Sequence, residues 1–441
     1  TEGQVLTTDG SGAVSFADPA GGGSADFVAS GAIANGDVVV LNSDGTVSVV
    51  DATGGGAEIS STVNTAVFES ADVDDISASF DSTNQKVVIA YTDKGNSNYG
   101  TAVVGTISGS SITFGTPVVF SSSSTLFSSV TYDSNANKIV IAFTDIGNSY
   151  TGTVVVGTVS GTSISFGTAV TLQTSMENLS TSYDSSAQKV IVAYRKSSSG
   201  RSVVGTVSGT TISFGSEVVF ESGDTDEISA VYDSNSNKTV IAYRDRSGSF
   251  YGTAVVGTIS GSSISYGTPV VFSSMGSIQY TSIVFDSNAN KVVIAYRDNG
   301  NSARGTAIVG TVSGTSISFG AAVVFNALTT TFIVASYDAS VKSVVISYSD
   351  TTNSERGTSI AGVVSGTSIS FTTPVVFNTG ASYYIFSAYD STNQNVVSFY
   401  SDRSNSNYGT AAVLETTGLS NASSYIGVAD GATSDTATGK I

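Results

Sequence analysis

The sequence predicts an all-β protein, a seven-bladed β-propeller of four-stranded antiparallel blades, and three observations carry this prediction. An aromatic residue followed by Asp recurs seven times, with successive Asp residues 52, 51, 49, 53, 52 and 52 positions apart. Every copy holds four runs rich in Val, Ile, Phe, Tyr and Thr, and no segment has a helical period. Repeats of about 40–50 residues with four strands are typical of propeller blades. The recurring residues are Asp81, Asp133, Asp184, Asp233, Asp286, Asp338 and Asp390.

The first repeat shows how each blade is built. Its strand-like runs cover residues 76–80, 86–91, 101–108 and 111–120. Asp-Ser-Thr-Asn-Gln joins the first two runs, Asp-Lys-Gly-Asn-Ser-Asn-Tyr-Gly the next two, and Ser-Gly-Ser the last two. Because Gly, Asn and Asp accept the backbone angles of tight turns, these segments predict antiparallel connections.

The seventh repeat predicts how the ring closes. It has three strands, at residues 384–389, 395–400 and 409–415, and then lacks the expected fourth. The letters AVFES at 66–70 precede Asp81 by the same distance as VVFES at 218–222 precedes Asp233. We therefore expect residues 58–69 to form the outer strand of the last blade, which would hide two exposed strand edges.

Composition excludes several classes of function. The chain has 441 residues and a net charge of −18, with no basic run of more than two residues, so nucleic acid is not expected as a partner. It has no Cys and no His, which removes thiol chemistry and the commonest general base. No apolar run is long enough to insert into a bilayer, and no signal peptide is recognisable.

The segments on either side of the repeats have a different character. GQVLTTDGSGAVSF at 3–16 and FVASGAIANGDVVVLNSDGTVSVV at 27–50 hold hairpin patterns, and YIGVADGATSDTATGKI at 425–441 follows the repeats. These three segments resemble tail-fibre and other virion structural proteins of tailed bacteriophages, particularly marine ones. The resemblance covers about 55 flanking residues and none of the repeats.

The resemblance implies a virion or extracellular location, other virion proteins as partners and homo-oligomers in the assembled particle. The predicted domains are a fibre-like motif with a Gly-rich linker at 1–25, a small β-module split between 26–56 and 420–441, and the propeller at 57–419. Thr1 at the first position and the ending at Gly439-Lys440-Ile441 predict that the chain is part of a longer protein.

Two series of Asp residues are candidate cation sites. Asp133-Ser-Asn135-Ala-Asn137 and its counterpart at 286–290 resemble the start of a calcium loop but lack its Gly and closing Glu, so we interpret them as Asx-capped turns. The Asp residues of a second series lie at the end of the second strand in six repeats. Together they would form a carboxylate ring that could bind Ca²⁺, or each Asp could cap the turn that follows it. No cofactor is predicted otherwise. The six residues are Asp93, Asp145, Asp245, Asp298, Asp350 and Asp402.

The loops after this second series are the candidate binding face. Their framework repeats, but their tips exchange Tyr, Arg, Ser and Thr, as functional loops on a rigid scaffold do. Arg195, Arg244 and Arg297 and the variable connections at 176–178, 224–227, 275–280 and 383–384 belong to the same face. Tyr and Arg suit stacking on sugars and binding of carboxylates or sulfates. The predicted ligand-binding residues are Tyr99, Tyr150, Tyr251, Arg304, Arg356 and Tyr408.

An enzyme is not predicted. Without His or Cys, the available chemistry is a pair of carboxylates, as in glycoside hydrolysis. Glu177, Glu227 and Glu355 break the repeat, but none has a recognisable partner. The predicted function is therefore a phage appendage that binds cell-surface glycan, and a secreted bacterial adhesin or lectin and a structural spacer in an extracellular filament are the alternatives.

Overall fold

The computed structural model describes residues 57–274 and 276–418 in full, together with the backbone of seven flanking strands. The chain divides into a smaller unit, Thr1–Gly56 with Gly418–Ile441, and a larger unit, Ala57–Thr417. All described elements are strands except three short 3-10 turns, Lys94–Asn96, Asn299–Asn301 and Thr351–Asn353. Nowhere in the described part of the chain is there a helix with the length and apolar character that a bilayer span requires.

The smaller unit consists of short antiparallel pairings. Val5–Thr8 pairs with Val14–Ala17, and Asp26–Val28 pairs with Thr438–Lys440. A three-stranded sheet has Val38–Leu41 at its centre, between Val47–Val49 and Tyr425–Val428. Strands from both ends of the chain therefore share two of these sheets.

The larger unit contains seven repeats, each an antiparallel sheet of four strands, and in repeats 1 to 6 the strands lie in the order in which they follow along the chain. The fourth strand of a repeat is interrupted and leads into the first strand of the next. Repeat 1 comprises Asn64–Asp81, Lys86–Asp93, Tyr99–Ser108 and Ser111–Phe114 continued by Val118–Asp133. Repeat 2 comprises Val118–Asp133, Lys138–Asp145, Thr151–Ser160 and Ser163–Phe166 continued by Val170–Thr171. Repeat 3 comprises Met176–Asp184, Lys189–Lys196, Ser199–Ser208 and Thr211–Phe214 continued by Val218–Glu221.

The remaining repeats follow the same order. Repeat 4 comprises Thr225–Asp233, Lys238–Asp245, Tyr251–Ser260 and Ser263–Tyr266 continued by Val270–Ser273. Repeat 5 comprises Ile278–Asp286, Lys291–Asp298, Arg304–Ser313 and Ser316–Phe319 continued by Val323–Asp338. Repeat 6 comprises Val323–Asp338, Ser343–Asp350, Arg356–Ser365 and Ser368–Phe371 continued by Val375–Asp390. Repeat 7 comprises Val375–Asp390, Asn395–Asp402, Tyr408–Gly418 and, from the other end of the larger unit, Ala57–Ile59 continued by Asn64–Asp81.

The fourth strand, predicted as one continuous run at 111–120, is interrupted between Phe114 and Val118. Gly115 lies there against the next repeat, and a Cβ at this position would fall 1.8 Å from the carbonyl oxygen of Thr162. Pro117 has no N–H to donate to a neighbouring strand. The same interruption recurs in repeats 2, 3 and 5, which have Ala169, Glu217 and Ala322 in place of the Pro, so the Pro is not required for it.

The core of the larger unit lies between neighbouring sheets. Second strands are buried on both faces; residues Val87 to Tyr91 expose 1% or less of their surface. The aromatic residue near the end of each second strand lies against the fourth strand of the preceding repeat, as in Phe68 with Tyr91, whose ring centroids are 5.3 Å apart. Each repeat therefore buries its apolar surface on its neighbours, as expected for a repeat protein.

The first and seventh repeats are joined by pairing and by packing. Tyr408–Gly418 pairs with Asn64–Asp81, with Ala411 opposite Ala66. The backbone N–H of Ser60 also donates a hydrogen bond of 2.8 Å to the Glu415 carbonyl. One apolar cluster contains Phe68, Val87, Ile89 and Tyr91 together with Val397, Phe399, Ala411 and Val413. The strand from the N-terminal side of the larger unit thus completes the last sheet by pairing with Tyr408–Gly418.

Candidate functional site

The Asp residues of the first turn are turn caps. Asp133 Oδ1 accepts hydrogen bonds from the backbone N–H groups of Asn135 at 3.0 Å and Ala136 at 2.9 Å. Asp286 makes the same two contacts, each at 2.9 Å, with Asn288 and Ala289. This is the Asx-turn pattern, and it occupies the oxygen that a cation would otherwise use.

The second Asp series also caps turns. Asp93, Asp145, Asp245, Asp298 and Asp402 each accept backbone or hydroxyl hydrogen bonds within the following turn, for example from the N–H of Gly248 to Asp245 Oδ1 at 2.8 Å. Asp350 is the exception, because its Oδ1 is buried with no hydrogen-bond partner among the described residues. Over the described ranges, no three acidic side chains are grouped so that they could hold a metal ion.

The residues predicted to bind a ligand lie where third strands begin. The register pairs them with the Asp that ends the second strand, as in Asp93 with Tyr99 and Asp298 with Arg304. Tyr150 precedes its strand, has a φ of 56° and exposes 47% of its surface. The others, Tyr99, Tyr251, Arg304, Arg356 and Tyr408, are half-buried.

The arginines of these loops fall into two groups. In repeats 3 and 4, Arg195 pairs with Glu177 and Asp224, and Arg244 pairs with Asp226 at 2.5 Å. In repeats 5 to 7, no arginine of the described chain forms an ion pair, and each has a buried Nε without a hydrogen-bond partner. These unpaired residues are Arg297, Arg304, Arg356 and Arg403.

A set of inner bulges was not predicted from the sequence. Each first strand has one extra residue opposite its second strand, as between Asp74 and Ser77, where three steps along the first strand match two along the second. The residue at each shift has a left-handed backbone, with φ between 49° and 53°. Asp or Asn adopts this conformation readily, but a bulky side chain does so at a cost of roughly 1–3 kcal/mol. The seven bulge residues are Asp75, Phe127, Asn178, Glu227, Tyr280, Phe332 and Tyr384.

The bulge residues of repeats 5 to 7 form an aromatic arc. Phe332 lies at its centre, with its ring centroid 5.3 Å from that of Tyr280 and 5.4 Å from that of Tyr384. Phe332 also stacks on Tyr383 at 5.0 Å, and the guanidinium carbon of Arg403 lies 4.6 Å from the Tyr383 ring. The arc presents contiguous aromatic surface on the face that carries the predicted loops.

A carboxylic acid flanks the arc at its Tyr384 end. Burial, with a smaller contribution from the charge of Asp74, raises the pKa of Asp75 to about 6, whereas the Phe127 backbone N–H and Lys94 act in the opposite direction. Asp75 Oδ2 is buried and has no hydrogen-bond partner among the described residues. Burial, helped by the charges of Asp74 and Asp75, raises the pKa of Tyr384. The two first strands that carry Tyr384 and Asp75 are in contact.

A second carboxylic acid flanks the arc at its Tyr280 end. Glu227 Oε2 accepts a hydrogen bond of 2.7 Å from the backbone N–H of Tyr280. Burial raises the pKa of Glu227, although the positive charge of Arg244 opposes the shift. Glu227 therefore connects the bulges of repeats 4 and 5 and fixes the backbone at the Tyr280 end of the arc.

The bulges lead into a cavity at the centre of the larger unit. Its volume is about 260 Å³, and all seven repeats contribute to its lining. Asp75, Phe127 and Tyr384 line it from the bulges, and hydroxyl side chains line much of the rest. None of the six residues predicted to bind a ligand lines this cavity. The structure therefore has two candidate binding regions, the loops and the cavity.

The sequence does contain a signal for the bulges. Each of the four variable connections noted above ends at a bulge residue. The connections are 176–178, 224–227, 275–280 and 383–384. Met275, which belongs to one of them, lies outside the described residues. The position varies between acidic, amide and aromatic side chains, whereas the neighbouring strand residues repeat.

Comparison with models of protein families and with curated proteins finds no match to this chain. Among solved structures, the chain is similar to a protein from Lactobacillus plantarum whose crystal structure was determined by a structural genomics consortium. The two share 13% sequence identity and a TM-score of 0.50, over 69% of this chain and 86% of the other. A similarity at this level supports a shared β-rich fold and carries no function.

Proposed function

We propose that the seven repeats form a closed seven-bladed β-propeller, which acts as a non-catalytic disc that binds host surface glycan on a bacteriophage virion appendage. Contact between the first strands of repeats 7 and 1 supports the closed ring, as does the pairing of Asn64–Asp81 with Tyr408–Gly418. The resemblance of the flanking segments supports the virion location, where homo-oligomers and other virion proteins would be the partners.

The observation that carries the binding proposal is the contrast between a repeated scaffold and unrepeated side chains on one face. Val73 is opposite Asp93, and Asp93 is opposite Tyr99, so the bulges and the predicted loops lie at the same end of the sheets. This face offers aromatic rings and unpaired guanidinium groups, which suit stacking on sugars and hydrogen bonding to their acidic substituents. Several shallow sites on one disc would increase avidity.

A glycan array probed with the full chain tests the proposal. We expect binding that falls by about tenfold or more in Tyr251→Ala and Arg304→Ala, because each removes an aromatic or charged contact. Lys291→Ala is the matched control, since Lys291 lies opposite Asp286 at the other end of the same sheet. Absence of glycan binding would favour the structural spacer. If only the control variant lost binding, the proposed binding face would be the wrong one.

A further inference from the structure

The central cavity has polar atoms that the protein does not satisfy. Asp75 Oδ2, Ser128 Oγ and Thr281 Oγ1 are buried without a hydrogen-bond partner among the described residues, and all three residues line the cavity. Such a group costs about 1–3 kcal/mol, and most buried polar groups do have partners. Three of them around one space indicate a site suited to a polar occupant.

The charge of the lining favours a cationic group. Asp75 is the only acidic or basic side chain among the lining residues. The nearest cation, Lys94, forms ion pairs with Asp74 and, at 3.8 Å, with Asp72. Since Lys94 is already paired, the Asp75 carboxylate keeps a net negative charge in the lining of the cavity.

Aromatic and hydroxyl groups in the lining further restrict the class of ligand that the cavity could bind. Tyr384 and Phe127 line the cavity together with Asp75, and aromatic faces beside a carboxylate attract organic ammonium groups. Ser128 and Thr281 add hydroxyl groups without a partner among the described residues. Ser180 and Ser229 accept a backbone N–H of the next repeat and can still donate their own proton to a polyol. Ca²⁺ fits less well, because it takes six to eight oxygen ligands and one carboxylate is present.

We propose that the central cavity binds one amino-sugar residue, with its protonated amine at Asp75 and its hydroxyl groups towards the serine-lined wall. The proposal rests on the glycan-binding function and adds a second site with a defined sugar class. The volume of about 260 Å³ suits a single small residue, since it is below the roughly 300–1,000 Å³ of sites for drug-sized ligands. The hydroxyl wall favours an amino sugar over a lysine side chain, whose stem is apolar.

Isothermal titration calorimetry of the full chain at pH 7 tests this site with glucosamine, glucose and Nα-acetyl-lysine amide as probes. We expect one saturable site for glucosamine, with glucose and the lysine derivative at least about tenfold weaker. Asp75→Asn should weaken glucosamine binding by about tenfold and remove the preference over glucose. Glu58→Gln removes an exposed carboxylate that does not line the cavity and should leave binding unchanged.

Three outcomes would overturn the cavity site: equal affinity for glucose and glucosamine, unchanged binding in Asp75→Asn, or tighter binding of the lysine derivative. The proposal would also be wrong if Ca²⁺ competed with glucosamine and Asp75→Asn abolished this competition, because the ligand at Asp75 would then be a metal ion and not an amine. The loop variants separate this inference from the proposed function. If arrays show glycan binding that needs Tyr251 and not Asp75, the disc function stands and the cavity site fails. If glucosamine binds through Asp75 while arrays show nothing, the surface function fails instead.

Discussion

Ser77 and Val130 join neighbouring repeats through a hydrogen bond of 3.0 Å from the backbone N–H of Val130 to the Ser77 Oγ. The same contact recurs from Thr181 to Ser129 at 2.9 Å and from Ala230 to Ser180 at 3.0 Å. The first strands of these neighbouring repeats are not paired with each other in the described sheets, so a side chain supplies the acceptor that a β-ladder would otherwise provide.

Ser77→Ala should lower the free energy of unfolding by about 1–3 kcal/mol, because it leaves the buried Val130 N–H without an acceptor. Urea unfolding followed by circular dichroism measures the change. Ser163→Ala is the control, since Ser163 is an exposed serine in a hairpin of repeat 2. Equal effects of the two substitutions would show that the contact between repeats contributes nothing.

Gly115→Ala should destabilise the protein by about 2–3 kcal/mol, because the added Cβ would lie 1.8 Å from a backbone oxygen of the next repeat. Gly109→Asn serves as the comparison. Gly109 has a φ of 55° and open space around its Cβ position, and Asn tolerates this conformation. Thermal unfolding should separate the two variants, and a Gly115→Ala midpoint as high as that of Gly109→Asn would contradict the close approach.

The double variant Ala66→Cys with Ala411→Cys tests the pairing of the two ends of the larger unit. The chain has no cysteine, and the two alanines face each other in the register, so oxidation should give one intramolecular disulfide. We expect the oxidised form to be more stable than the reduced form by about 4 kcal/mol, because the bond closes a very long loop. Mass spectrometry detects the bond, and intermolecular dimers alone would argue against the pairing.

Asp75→Asn should stabilise the fold at pH 7. The pKa of Asp75 is raised from 3.8 to about 6 in the folded state, so folding loses stability as pH rises through this interval. The loss is at most about 3 kcal/mol, and Asn avoids it because it has no charge. The gain should disappear near pH 4, where the Asp75 carboxyl is mostly protonated in the folded state.

Urea titrations at pH 4 and pH 7 measure this difference, with Glu58→Gln as an exposed control. A stability gain that is the same at both pH values would mean that the charge of Asp75 carries no penalty. Combined with the expected loss of glucosamine binding, a gain at pH 7 would identify Asp75 as a residue whose binding role costs stability.

The repeated antiparallel sheets could be predicted from local sequence, whereas the inner bulges could not. Strand alternation and turn residues around Asp81 or Asp133 act over a few positions, and the resulting four-stranded units match the structure. A left-handed residue is usually signalled by Gly or Asn, and Asn178 fits that rule. Phe127, Phe332 and Tyr384 do not, because their conformation is imposed by the surrounding strands.

The cavity also could not be predicted from the sequence. Its lining comes from seven strands that are about fifty residues apart, and only their arrangement brings Asp75 beside Tyr384. The loop residues Tyr99 and Arg304 could be selected because they vary within a repeated framework. Tyr384 was included for the same reason, as part of the variable connection 383–384. Asp75 falls inside the strand Asn64–Asp81, where variation normally reflects packing.

The closing pair of strands also determines how the larger unit responds to mechanical tension. Asn64 is opposite Val413 in antiparallel register, and the chain continues from both residues towards the same edge of the sheet. A pulling force applied at residues 57 and 418 would therefore open the pairing one hydrogen bond at a time from that edge, instead of shearing all of its bonds together. The larger unit would yield first at this sheet and at low force, while the other six repeats remained folded.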